Sequence, residues 1–100
     1  MSLEVNLAAE TRKWLVKAED LFANISGEEH FLENISAYIR DSHYFLENGD
    51  LIRAFEAVIW AWAWMEIGLE REILVKNSQE DVGNSREDGL KFAGTGEKFI

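Results

Sequence analysis

The stretch FEAVIWAWAWMEIG, Phe55 to Gly68, holds three of the four tryptophans and decides how the rest of the chain must fold. Placed on a helix at about 100° per residue, Leu51, Phe55, Val58, Trp62, Met65 and Leu69 align with alternating steps of four and three. Such a stripe marks a helix packed on neighbours. A second group, Ala57, Trp60, Ala61, Trp64, Ile67 and Gly68, falls largely on the other side, and charge is confined to a strip of Glu56, Glu66 and Glu70. The apolar arc covers well over half the circumference, which predicts a helix buried on more than one side.

A membrane span is excluded by length. The uncharged run reaches only from Ala57 to Met65, whereas a span needs about 20 apolar residues. The expectation is the central helix of a soluble core, with no membrane partner. Left bare, Trp60 and Trp64 would expose roughly 300–500 Å² of ring surface, near the largest apolar patch that a monomer tolerates. Something is expected to cover them.

Working outward, the remaining pattern is also helical. Leu3, Leu7, Trp14, Ala18, Leu21 and Ile25 share a face of a first helix over about residues 3–23, with Leu15 and Phe22 on its shoulder and Ser2 as its cap. In NISGEE, Ser26 with Glu29 reads as a capping box, and Gly27 lies in the break. A second helix over about 28–47 carries Phe31, Ile35, Tyr38, Ser42 and Phe45 inward, flanked by Leu32, Ile39 and Leu46. At Asn48-Gly49-Asp50, Gly49 can end that helix in the left-handed conformation and Asp50 can cap the third, read over about 51–75. Short connections make successive helices antiparallel neighbours. The fold class is therefore all-α: a three-helix up-and-down bundle over residues 1–76.

Residues 77–100 carry four of the seven glycines and no sustained period, so an irregular tail is expected. Leu90, Phe92, Phe99 and Ile100 within it are candidates to dock on Trp60 and Trp64.

Composition narrows function by exclusion. The chain has 100 residues, a net charge of −9, no cysteine and no proline. Disulfides and thiolate chemistry are out, and the missing proline suits uninterrupted helices. The start, MSLEVNLAAETRKW, lacks a basic segment followed by an apolar run, so no secretory signal is read and a cytoplasmic address is the default. The acidity repels phosphate backbones and anionic lipid, which disfavours nucleic acid as a partner. Arg12, Lys13 and Lys17, the one basic cluster, are too few to reverse this.

The stretch from Asp41 to Glu70, DSHYFLENGDLIRAFEAVIWAWAWMEIGLE, resembles the signature of a small archaeal all-helical family catalogued as domain of unknown function 357. The residues that carry the resemblance are Tyr44, Phe45, Leu46, Gly49, Asp50 and the run Trp60, Ala61, Trp62, Ala63, Trp64. It implies a three-helix up-and-down bundle of archaeal, cytoplasmic origin, and it brings no known activity or functional residue. Gly49-Asp50 followed by Ala54 is also similar to the hairpins of tetratricopeptide repeats, but stacking needs about three units and one is present.

Catalytic patterns are absent. A carboxylate-bridged metal site in a bundle needs glutamate three positions before histidine. His30 has Gly27 there and His43 has Arg40. No metal and no cofactor is implied. Nuclease bundles of the HEPN type space arginine and histidine by four to six residues, whereas two separate Arg40 from His43. GTGEK lacks the spacing of a phosphate loop. Ala54, Ala61 and Gly68 would let a helix approach closely, from the same bundle or from another molecule.

The favoured function is a non-enzymatic interaction module, a homodimer or a binder of a helical partner. Its expected interface is Ala57, Trp60, Ala61, Trp64, Ile67 and Gly68. An alternative is a nucleotide- or RNA-processing protein with a polar site at Arg40, His43 and Tyr44. A further alternative is a monomer whose tail covers the tryptophans.

Overall fold

A computed structural model describes residues 2–77 of the chain. Three helices run up, down and up: α1 (Leu3–Ala23), α2 (Glu29–Glu47) and α3 (Leu51–Glu70). Each start is capped by a side chain. The Ser2 hydroxyl accepts from the Val5 N–H at 3.1 Å, the Glu28 carboxylate from Phe31 at 2.8 Å, and Asp50 from Arg53 at 3.4 Å. Between α2 and α3, Gly49 adopts φ 79°, the left-handed turn that Asn48-Gly49-Asp50 predicts.

Helix α3 lies between the other two, and α1 and α2 each touch it more than they touch one another. The core is built on it. Val58, Ala61 and Met65 are fully buried with Leu15 and Ala18 of α1 and Ile35 and Ile39 of α2. Toward α1, the Trp62 indole meets Trp14 edge-on at 5.8 Å and donates to the Trp14 carbonyl at 3.2 Å. Toward α2, the buried Ser42 hydroxyl donates to the Ala54 carbonyl at 2.7 Å.

Three expectations are corrected. The third helix stops at Glu70 rather than Val75, because Glu72 turns the chain at φ 62°. The Ile73 N–H then reaches the Gly68 carbonyl at 2.9 Å and that of Glu72 reaches Leu69 at 3.2 Å, a Schellman end. Beyond it the chain forms a short strand instead of helix. β1 (Ile25–Gly27) and β2 (Leu74–Lys76) pair antiparallel, with Ser26 opposite Val75.

The capping box is corrected as well. Glu28, not Ser26, caps α2, and the Ser26 hydroxyl donates to the Asn77 side-chain oxygen at 2.7 Å. Gly27, at φ 152°, lies against the Ile73 carbonyl and leaves no room for a Cβ. Finally, Ile25 belongs to β1 and Leu3, expected on the buried face of α1, is 78% exposed. The buried place along α1 falls instead to Thr11, whose hydroxyl donates to the Leu7 carbonyl at 2.8 Å. That bond satisfies a polar group inside the helix pair.

Candidate functional site

Among the described residues, nothing covers one side of α3. With α1 on one flank and α2 on the other, the strip between them contains Ile52, Glu56, Ile59, Trp60, Ala63, Ile67 and Glu70. Ile52 is 67% exposed, Trp60 53%, Ile59 38% and Ile67 37%. These four recur at intervals of seven and eight, so they lie along one face for about four turns. Apolar side chains held in water at that spacing form a seam rather than a scatter.

The six residues of the expected interface do not share one environment. Ala57, Ala61 and Gly68 are buried in the bundle, and at Gly68 the missing side chain admits Leu74 of β2 and the Phe31 ring of α2. A side chain on Gly68 would meet Leu74 and the Phe31 ring. Trp64 is half-buried, edge-on to Phe31 at 5.5 Å. Trp60 and Ile67 face solvent, and Trp60 is partly shielded by stacking on Tyr38 at 6.3 Å. Ile52 and Ile59 complete the exposed strip, with the half-buried Ala63 between Ile59 and Ile67. Their signal in the sequence is masked by Glu56, Glu66 and Glu70, which give the same side of the helix its charge.

Glu66 is the half-buried member of that acidic set. Its carboxyl is held above the ordinary range by burial, with Lys76 acting against this and Glu70 adding to it. Beside the strip, on the α2 flank, a solvent-open hollow of about 530 Å³ is bordered by Glu28, Glu33, Asn34, Phe31 and Trp64. The Trp64 Nε1 is buried and has no hydrogen-bond partner among the described residues. Glu28 is occupied as the cap of α2. The Phe31 and His30 N–H groups hold its carboxyl below the ordinary range.

Arg40, His43 and Tyr44 lie on neighbouring turns of α2. Arg40 and Tyr44 are exposed, and His43 turns toward α1 to meet Glu19 at 2.7 Å. Among the described residues, no group of three or more histidine, aspartate or glutamate side chains is placed to hold a metal ion. No described helix is long and apolar enough to cross a membrane. Leu90, Phe92, Phe99 and Ile100, the expected docking residues of the tail, lie outside the described residues.

No curated protein matches the chain. Among solved structures, the chain is similar to the crystal structure of protein AF1782 from Archaeoglobus fulgidus. The two share 58% identity with a TM-score of 0.74, over 76% of this chain and 100% of that one. The family described as "Protein of unknown function (DUF357)" matches residues 6–74, from the first turns of α1 into β2. With more than half its length matched, and with the tyrosine-to-tryptophan stretch in place, the chain belongs to the DUF357 family.

Proposed function

We propose that this chain is a small non-enzymatic interaction module that self-associates through the exposed face of α3. The observation that carries this reading is the alignment of Ile52, Ile59, Trp60, Ala63 and Ile67 along one strip that no other described element covers. Burying a strip of this kind supplies the hydrophobic gain of association, with Trp60 as the aromatic anchor. Glu56, Glu66 and Glu70 supply the polar rim. An archaeal source is supported by the Archaeoglobus fulgidus neighbour.

The test is solution mass across a dilution series, for the full chain and for Trp60→Glu. The strip is short for an interface, since stable ones bury about 1,200–2,000 Å² in total. Association is therefore expected to be reversible, with the mass rising toward that of a dimer as concentration increases. Trp60→Glu is expected to hold the mass at that of a monomer while leaving helicity unchanged, because half of that ring is already in water. A monomer at every concentration, or a dimer indifferent to Trp60→Glu, overturns the proposal.

A further inference from the structure

We infer that the second copy lies antiparallel on the first, with α3 against α3 and the two-fold axis passing between Ile59 and Trp60. This rests on the self-association proposed above and adds its orientation and register. A two-fold interface requires that the surface match itself when turned end for end. The exposed strip does so. Ile52 and Ile67 stand at equal distances on either side of the Ile59–Trp60 midpoint, as do Glu56 and Ala63, and Gly49 and Glu70. Turned about that point, Ile52 of one copy meets Ile67 of the other and Ile59 meets Trp60, while the two glutamates of the strip fall opposite the small residues Ala63 and Gly49.

Charge selects this orientation over the parallel one. Glu56 and Glu70 lie near the centre line of the strip, so parallel helices would set each against its own copy. Like charges brought together in that way oppose association. The antiparallel register separates the two Glu56 residues by seven positions, about 10 Å along the axis, which is close to the screening length at moderate salt. Each Glu56 then faces Ala63 of the other copy, whose methyl leaves room for it. Each Glu70 then stands 21 positions from its counterpart, about 30 Å along the axis, at the level of Gly49 of the other copy; the Asp50 carboxylate that caps that helix is the like charge it approaches.

The same rotation keeps the α2 flanks of the two copies on one side of the seam. Arg53 of one copy then stands within a turn of the height of Trp64 of the other, beside the hollow that Glu28 and Glu33 border. Within its own chain, Arg53 is exposed, 3.6 Å from Asp50 and 5.7 Å from the Phe45 ring centroid. To enter the hollow of the second copy the exposed guanidinium exchanges its Asp50 partner for Glu33, the carboxylate there that does not cap α2.

Crosslinking tests the register. The chain has no cysteine, so full-length Glu56→Cys and Ala63→Cys variants each carry a single thiol on an accessible strip. Mixed and oxidised, the two are expected to form the mixed disulfide dimer several-fold faster than either forms its own, and mass spectrometry separates the products. Arg53→Glu is expected to raise the dimer dissociation constant several-fold with helicity unchanged. If the chain dimerises and Glu56→Cys links fastest to itself, the antiparallel register is overturned and the α3 contact stands. Dimers that form neither link overturn both the register and the α3 contact. An unchanged dissociation constant for Arg53→Glu overturns the contact with the hollow. A monomer throughout removes the self-association on which the register rests.

Discussion

The side chain of Leu74 occupies the space that a Cβ on Gly68 would need: its Cδ1 lies 2.5 Å and its Cγ 2.7 Å from that position. Leu74 is itself 1% exposed, so it cannot swing clear. A residue of β2 therefore plugs the last turns of α3 and closes the end of the bundle over Phe31.

Gly68→Ala follows from this contact. In an open helix interior the change would stabilise by about 0.5–1 kcal/mol. Here overpacking against Leu74 and Phe31 opposes it, at about 1–3 kcal/mol. A net loss is expected, measured as a lower urea midpoint with an unchanged slope. Leu74→Ala opens a cavity, but it should cost less in the Gly68→Ala background than alone, because the added methyl takes up part of the space. Additive losses would show that the two positions do not contend for the same volume.

The Ser42 hydroxyl is the one polar tie between α2 and α3 that is wholly buried, and it has a single partner, the Ala54 carbonyl. Ser42→Ala removes the bond without stranding a donor, and the Ala54 carbonyl keeps its place in the helical ladder. The expected loss is about 1 kcal/mol, read from the urea midpoint. A neutral result would mean that the methyl packs as well as the hydroxyl bonds.

How legible these features were in the sequence depended on whether one residue type signals one conformation. Gly49 and Asp50 announced the α2–α3 turn because glycine takes the left-handed conformation freely and aspartate caps helices. The end of α3 carries no such mark. Its left-handed residue is Glu72, so helical periodicity appeared to run on through Leu74 and Val75. The strand pairing of Ile25–Gly27 with Leu74–Lys76 was hidden by brevity, since three residues are too few to show alternation. The exposed strip was misplaced for a related reason. The first stripe of α3 and the small residues of the second are packed into the bundle, while Trp60 and Ile67 of the second open onto the seam between α1 and α2, where glutamates alternate with isoleucines.

Glu72 offers a further prediction. A non-glycine residue in the left-handed region costs about 1–2 kcal/mol relative to glycine, and the Schellman end requires that conformation here. Glu72→Gly is expected to stabilise the fold by about 1 kcal/mol, offset in part by the added freedom of the unfolded chain. Thermal unfolding would show this as a higher midpoint. The Ile73-to-Gly68 bond should be retained, with slower amide exchange at Ile73. A lower midpoint would show that the Glu72 side chain contributes more than its backbone strain removes.

The two perturbed carboxylates predict opposite responses to acid. Burial raises the Glu66 pKa in the folded state, with Lys76 opposing and Glu70 reinforcing the shift. The native state therefore binds this proton more tightly than the unfolded chain does, and the contribution of Glu66 to stability grows as pH falls through its raised pKa toward the ordinary carboxylate range. Glu28 behaves in the reverse sense. Its folded pKa is lowered by the Phe31 and His30 N–H groups, so its capping contribution is present above the ordinary range and is lost as pH falls through the depressed value. Glu66→Gln is thus expected to raise stability at neutral pH by under about 1 kcal/mol, since Glu66 is only half-buried and solvent screens much of the effect. That advantage should vanish below the carboxylate range. Glu28→Ala should lower stability at neutral pH and have its smallest effect in strong acid. Urea unfolding of the three proteins at neutral and acidic pH separates the two, provided that each is measured dilute enough to be monomeric. If Glu66→Gln lost stability at neutral pH, the Lys76 attraction would outweigh burial, and the assigned direction would be wrong.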